Sequence, residues 1–316
     1  MQAVLSGCSE YPDDDASTLR LKLAEHHGVQ VEQVLVADGL TEFLGMLART
    51  FLGPGLNAVT SQRSFMVYRL ATEAANAQLI EVPTRQEGFD LDAVAASINR
   101  NTGVIFLANP NNPTGTLVTA DEVDHLLRRA PDQIVVLDEA YYDFAQDFAA
   151  RRGATYSRSL DYVREGRNVV VLRTFSKVHG LAGVRVGYGI ASPKSIALIL
   201  RQRSMYCVSN LAQAGAIAAM DDSAHIRRTV DNNTDQAQRL FQQISEIGYA
   251  VTPTWGNFLY CDVGRDARGF SERMRLEGVL VRPLNSWGAP ESIRITIGTP
   301  QQNEVLLGAL RKLKNS

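Results

Sequence analysis

The sequence predicts an α/β fold: a mainly parallel sheet flanked by helices, followed by a smaller α+β unit at the C-terminal end. Three observations carry this expectation. Apolar runs of strand length alternate with segments of helical period over roughly the first 200 residues. Several of those runs are apolar throughout, as in Ile134-Val135-Val136-Leu137, which suits a sheet covered on both faces. The alternation then gives way to two long helical stretches and a few short strands, so the second part has a different architecture.

Taken in order, the strands are expected at Gln33–Val36, Asn57–Thr60, Gln78–Val82, Val104–Leu107, Ile134–Leu137, Val169–Arg173 and Val186–Ile190. Helical patterns fall between many of them, at Thr18–His27, Glu42–Leu52, Val67–Asn76, Leu91–Ile98 and Ala120–Arg129. The later helices are expected at Ser209–Met220, Ala224–Ile247, Arg268–Glu277 and Gln301–Lys312. Short strands belong near Phe258–Asp262, Val279–Arg282 and Ser292–Thr296. No Gly/Ser-rich or Pro-rich linker interrupts the chain, so the long helical stretch is expected to join the two parts, with a ligand cleft between them. The expected division is 1–30 as a short segment packing with the small domain, 31–208 as the large domain and 209–316 as the small one.

Composition narrows the function. The 316 residues suffice for two domains, and 45% hydrophobic with 21% charged residues is an ordinary globular balance. Lys+Arg 32 against Asp+Glu 34 gives a net charge of -2 with no basic block, which argues against nucleic acid as a partner. No apolar run is long enough to span a membrane, and the first residues lack the basic flank and apolar core of a signal peptide. Cys8, Cys207 and Cys261 are odd in number and far apart, so a reduced, cytoplasmic setting is expected.

Four segments could carry chemistry, each in a loop that follows a predicted strand. Asn109-Pro110-Asn111-Asn112-Pro113-Thr114-Gly115 follows Val104–Leu107, and loops at strand C-termini line the ligand crevice of a parallel sheet. Asn112 there offers an amide; the plainer reading is a turn before the next helix. Asp138 ends a fully apolar strand, where a carboxylate needs a cation or hydrogen-bond donors. A protonated heterocyclic nitrogen is one such partner, a helix cap the plainer role, and Glu139 reads as a solvated neighbour. Thr174-Phe175-Ser176-Lys177 follows Val169–Arg173, with Gly180, Gly183 and Arg185 beyond it. Of the five lysines only Lys177 lies in a small-residue loop after a core strand, where a lysine can form a Schiff base; a surface lysine is the alternative. Ser176 and Arg185 are suitable phosphate donors. Asp38-Gly39-Leu40-Thr41 precedes a helix whose free N–H groups can hold a phosphate, or is simply a cap. Four such loops on one predicted sheet are less easily explained as four independent turns.

Here the sequence resembles the pyridoxal-phosphate aminotransferases of fold type I, most closely the histidinol-phosphate aminotransferase family. Asn112-Pro113-Thr114-Gly115, Asp138-Glu139-Ala140-Tyr141 and Ser176-Lys177 with Arg185 are similar to that family's motifs in order and approximate spacing. Glu10-Tyr11-Pro12-Asp13, Val281-Arg282-Pro283-Leu284 and Ile293-Arg294-Ile295-Thr296-Ile297-Gly298-Thr299 tilt the resemblance to this family. It runs from about Tyr11 to the last helix.

The resemblance implies a role for each matching residue. Lys177 would hold pyridoxal 5'-phosphate as a Schiff base and then shuttle the proton. Asp138 would pair with the pyridinium nitrogen, while Tyr141 and Asn112 would bond the ring hydroxyl oxygen. Phe65 would stack on the ring, or else be core. The phosphate would lie on Gly39, Leu40 and Thr41 with Ser176 and Arg185, and more weakly Thr174. Tyr11 would reach the phosphate of a partner subunit, so a homodimer with shared active sites is implied. Arg294 would bind the carboxylate of glutamate or the substrate phosphate, Arg282 would assist, and Asn257 would lie near the substrate. Surface salt bridges are the plainer reading of both arginines.

The activity this implies is transamination between histidinol phosphate and 2-oxoglutarate, in histidine biosynthesis. Rivals are an aromatic or broad-specificity aminotransferase, a threonine-phosphate decarboxylase-like lyase, and an inactive cofactor-binding paralogue. Two departures stand out. No Asn-Glu-Asn-Pro-like arm precedes Tyr11-Pro12, and Leu40-Thr41 stands where the family often has a small residue and Asp. His179 reads as a loop residue, while His26, His27, His125 and His225 fall on predicted helices, with no metal-site spacing.

Overall fold

The computed structural model describes residues 2–7, 9–264 and 266–314, without the side chains of Gln2 and Ala3. Cys8 therefore lies outside the described residues. The first part of the chain builds β1 (Val34–Ala37), α2 (Gly39–Phe51), β2 (Asn57–Ser61), α3 (Val67–Ala74) and β3 (Gln78–Val82), after α1 (Ser17–His27). It continues with α4 (Leu91–Ala96), β4 (Thr102–Ala108), α5 (Ala120–Arg129), β5 (Ile134–Asp138), α6 (Tyr142–Arg152) and α7 (Ser159–Arg164). Then come β6 (Val169–Thr174), β7 (Gly187–Ile190), α8 (Pro193–Leu200) and α9 (Asn210–Asp221).

These strands form one seven-stranded sheet in the order β1-β7-β6-β5-β4-β2-β3. β7 runs antiparallel to β1 and β6, and the remaining pairs are parallel. The central strands are buried on both faces because their middle positions are apolar in succession: Val135, Val136, Val170 and Val171 are all inaccessible to solvent. Removing so much Val, Ile and Leu surface from water is the main force holding this sheet between its helices.

α10 (Ser223–Ile247) leads into a four-stranded antiparallel sheet of order β10-β11-β9-β8. Its strands are β8 (Ala250–Thr252), β9 (Phe258–Asp262), β10 (Arg282–Leu284) and β11 (Ala289–Thr296). α11 (Ala267–Leu276) and α12 (Pro300–Lys314) pack with them, and Leu259, Phe270, Ile293 and Leu307 fill a second core. A smaller cluster of Tyr141, Phe144, Val178 and Phe258 clamps this sheet to loops of the first.

The packing corrects several expectations. Leu19, Leu23 and Ala24 of α1 enter the core of the large sheet, where they meet the expected 209–316 segment through Ala212 and Ala216 of α9. α9, the first helix of that segment, shares the core of the large sheet. The strand expected at 279–282 lies at Arg282–Leu284 because Gly278, with φ +80°, turns the chain out of α11 and Leu284 is the residue that is buried. α2 begins three residues earlier than its apolar period suggests, at Gly39. α6, α7, α8 and β8 are elements the sequence pattern did not single out.

Candidate active site

The register of the large sheet brings four loops to one edge. Ala108 pairs with Asp138, and Asp138 with Leu172, so β4, β5 and β6 end side by side. The Asn109–Gly115, Asp138–Tyr141 and Thr174–Lys177 segments therefore emerge together. The antiparallel β7 adds a fourth contribution from the opposite chain direction. Gly187 pairs with both Ala37 and Thr174, so Arg185 just before β7 meets the start of α2 just after β1.

A cavity of ≈ 280 Å³ opens at this edge. Its lining includes Leu40, Thr41, Phe65, Asn112, Asp138 and Tyr141. Thr174, Ser176, Lys177, Arg185 and Arg294 complete the polar part of the lining.

Asp138 is buried at the floor of the cavity. Its Oδ2 accepts the Tyr68 hydroxyl at 2.8 Å, and its Oδ1 accepts the Ala140 N–H at 3.2 Å. Burial raises its pKa to about 6, against the opposing pull of those two donors and the Lys177 charge. A carboxylate so placed gains from a further donor or cation. Lys177 is half-buried, its Nζ 5.1 Å from the Tyr141 ring centroid. The Tyr141 ring is fixed edge-on against Phe258 at 5.1 Å.

The other end of the cavity is built for an anion. Gly39, Leu40 and Thr41 form the first turn of α2, where backbone N–H groups lack helical partners. The guanidinium of Arg185 lies directly over this turn. A Cβ on Gly39 would stand 2.3 Å from Arg185 Nη2 and would displace that guanidinium, and φ +75° favours glycine here. Arg185 itself is held at φ +61°, a sparsely populated conformation for a side chain-bearing residue, with Nη1 donating to the Ala182 carbonyl at 3.0 Å. Ser176 donates its N–H to Thr174 Oγ1 at 3.1 Å, which sets the turn between them.

Arg294, from β11, reaches across from the second sheet. Its Nη1 donates to Asn112 Oδ1 at 2.6 Å, and its guanidinium carbon stands 5.2 Å from the Phe258 ring. Phe65 lines the cavity with its ring perpendicular to Tyr68, at 5.7 Å.

Three candidates stay apart from this cavity. Tyr11 is 81% exposed and stacks on Tyr206 at 4.7 Å. Arg282 is opposite Arg294 in the ladder, yet it is exposed, with its guanidinium 5.5 Å from the Trp287 ring. Asn257 uses its carbonyl to accept from Ile297 and does not line the cavity.

Glu139 is not the solvated neighbour expected. It is buried and takes both Arg173 Nε at 3.0 Å and Nη2 at 2.9 Å, with Ser157 and Ser159 as further donors. Glu139 thereby braces β5 against β6 beneath Asp138. Tyr68 was also missed as part of the site. His179 is a loop residue as read, packed on Phe175, with a buried Nδ1 that has no hydrogen-bond partner among the described residues. The remaining histidines lie on α1, α5 and α10, and the described residues contain no cluster that could hold a metal.

A second cavity, of ≈ 500 Å³, lies beyond Phe65 and Tyr68. Its arginines are already paired, Arg63 with Glu87 and Arg69 with Glu81, so it does not compete as an anion site.

Comparison with known proteins settles the family. The model of the family described as aminotransferase class I and II matches residues 3–310. Histidinol-phosphate aminotransferase 2 of Pseudomonas fluorescens (strain Pf0-1) is 40% identical over 314 residues, 99% of this chain and 83% of the relative. The chain belongs to the histidinol-phosphate aminotransferase family, within the class I and II aminotransferases. Among solved structures, the histidinol-phosphate aminotransferase of Sinorhizobium meliloti, in complex with pyridoxal-5'-phosphate, is similar at TM-score 0.90 and 27% identity, covering 99% of this chain and 85% of that one. The L-threonine-O-3-phosphate decarboxylase of Porphyromonas gingivalis is similar at TM-score 0.83 and 26% identity, covering 100% of this chain and 94% of that one. Membership of the histidinol-phosphate aminotransferase family agrees with the seven-stranded sheet and with the loops gathered at its edge. No described helix is long and apolar enough to cross a membrane.

Proposed function

We propose that this chain is a pyridoxal-phosphate-dependent aminotransferase that passes the amino group of histidinol phosphate to 2-oxoglutarate. The observation that carries the reading is the single cavity joining Lys177, Asp138, Asn112 and Tyr141 to an anion cradle at Gly39 and Arg185. Two features fit the cofactor independently of any family name. The Arg185 guanidinium stands where a Cβ of Gly39 would lie, against the first turn of α2, so a cation and free helix N–H groups face one point, as a phosphate site requires. The buried carboxylate of Asp138 lines the same cavity and suits a protonated ring nitrogen.

The cofactor, when bound, withdraws electrons from the substrate Cα. The chain's residues do the rest. Ser176, Arg185 and the N–H groups of Gly39, Leu40 and Thr41 hold the phosphate, with Thr174 setting the Ser176 turn. Asp138 holds a proton on the ring nitrogen, and Asn112 and Tyr141 orient the ring from its hydroxyl side. Phe65 covers one face. Lys177 Nζ would hold the cofactor covalently and, once released, would move the proton at Cα. Arg294 supplies a planar donor fork for a carboxylate or phosphate. Arg282 and Asn257 would join only if the second sheet shifts toward the cavity.

The exposed Tyr11, remote from its own cavity, would serve the phosphate of a partner in a homodimer with shared sites. The small-molecule amino donor and 2-oxo acid would meet this enzyme in the cytoplasm. A lyase acting on threonine phosphate is the second reading, supported by the 26% identity and TM-score of 0.83 to the P. gingivalis decarboxylase. Borohydride trapping followed by peptide mapping tests the central assignment. Label on Lys177, lost in Lys177→Ala, is expected; label on another lysine would overturn it. Carbon dioxide release from threonine phosphate without an oxo-acid acceptor would identify the lyase instead.

A further inference from the structure

Tyr68 is the group that the proposed chemistry leaves without a task. It projects from α3 and is completely buried. Its ring lies flat on Phe106 of β4, with centroids 4.8 Å apart and planes 5° apart, and Phe65 meets it edge-on. These contacts leave the ring one position. In that position its hydroxyl donates to Asp138 Oδ2 at 2.8 Å.

The chemistry of this pair is directional. Burial and the neighbouring Asp138 charge hold the Tyr68 phenol well above its ordinary pKa, so it stays a donor at every working pH. Among the described residues the Asp138 carboxylate takes one other hydrogen bond, from the Ala140 N–H to the opposite oxygen. The carboxylate is thus gripped at both oxygens, and one grip comes from a side chain that can be removed without touching the cavity lining around Lys177. The ring that covers the cavity and the hydroxyl that fixes its acid come from one turn of chain, Phe65 and Tyr68. A change in the packing of α3 reaches both together.

We infer that Tyr68 is a positioning residue that keeps Asp138 ionised and fixed toward the bound ring nitrogen, through this single hydrogen bond. This rests on the cavity being a pyridoxal-phosphate site. Cofactor affinity is the readout, obtained by reconstituting apoprotein with pyridoxal phosphate and following its visible band. Tyr68→Phe keeps the ring and deletes the donor. It is expected to weaken cofactor binding about ten- to hundred-fold, the effect of one hydrogen bond to a charged group. In an Asp138→Ala background, Tyr68→Phe is expected to change affinity less than about two-fold, because the acceptor is gone.

Unchanged affinity in Tyr68→Phe overturns the inference. So does the same loss with and without Asp138, which would mark a packing effect. If wild-type protein traps no cofactor on Lys177, the reading of the site fails instead, so the two failures are distinguishable. Where Tyr68→Phe does not fold, proton NMR of wild-type apoprotein decides. The Tyr68 hydroxyl proton is expected to exchange slowly and to shift as Asp138 titrates; exchange at the rate of an exposed phenol contradicts the inference.

Discussion

Arg294 Nη1 donates to Asn112 Oδ1 at 2.6 Å, across the boundary between the two sheets. Asn112 is anchored in the loop after β4, and Arg294 comes from the middle of β11. One hydrogen bond thus ties the residue expected to orient the cofactor to the residue expected to orient the substrate. The tie also occupies Asn112 Oδ1, so the amide's Nδ2 donors are the atoms that would meet a ring hydroxyl oxygen.

Arg294→Lys should separate charge from geometry. Lysine keeps the cation but not the planar fork, and its ammonium cannot donate to Asn112 and a carboxylate in the same plane. Steady-state kinetics are expected to show kcat/KM for glutamate lower by about ten- to hundred-fold, the effect of a charge-assisted hydrogen bond. Values within two-fold of wild type would remove Arg294 from the substrate site.

Gly39→Ala places a methyl group where the Arg185 guanidinium stands, at a backbone position with φ +75°. The fold tolerates a displaced exposed arginine, while the anion cradle does not. Cofactor affinity should fall at least about ten-fold, with a stability loss of about 1–2 kcal/mol from the strained backbone. Equilibrium binding and urea unfolding of the same sample check both numbers.

Asp138 gives the apoprotein a pH dependence of unusual sign. Its pKa rises from 3.8 in the unfolded chain to about 6 in the fold, mainly by burial. The folded state therefore binds the proton more tightly, and stability falls as pH rises from about 4 through 6. Keeping this acid ionised at pH 7 costs about 3 kcal/mol of apoprotein stability. Asp138→Asn should raise apoprotein stability at pH 7 by up to that amount and leave it unchanged near pH 4. Urea unfolding at the two pH values measures it, and cofactor affinity should move in the opposite direction.

His27 acts with the contrary sign. Burial first, and then the charge of Arg173, lower its pKa from 6.5 to about 3 while its Nε2 pairs with the Tyr188 hydroxyl at 2.9 Å. The unfolded chain takes up a proton below about pH 6.5 and the folded one does not. Stability from this group is complete above pH 6.5 and is lost as pH falls toward 3. At pH 5 the loss is about 2 kcal/mol. His27→Gln should flatten that acid limb in denaturant unfolding from pH 7 to pH 5; an unchanged slope would show that another group sets it.

The parts of the fold and site that were legible in the sequence share one property: their signal is local. Lys177, Asp138 and Asn112 each lie at or just after the end of a strand with a run of four apolar residues, so strand and loop can be read in one short window. Gly39 was legible as a loop but not as the first residue of α2, because helix period begins only with the later apolar positions. Glu139 was misread since its partners, Arg173, Ser157 and Ser159, are 18 to 34 positions away and meet it only when β5 and β6 pair. Tyr68 was not singled out, because its ring is buried among core side chains and only its oxygen reaches Asp138. The docking of α1 escaped for a similar reason, as its buried face matches a sheet whose neighbours come from the far end of the domain. Arg282 matched its motif by position, yet the side chain rests near Trp287 rather than at the cavity.

The most direct test of the central claim is kcat/KM for amino donors with 2-oxoglutarate as acceptor, measured side by side for histidinol phosphate and phenylalanine. A cavity that combines a second anion-binding arginine with the cofactor cradle predicts a clear preference for histidinol phosphate, lost in Arg294→Ala. Phenylalanine accepted equally well would contradict the account and leave a broad-specificity aminotransferase in its place.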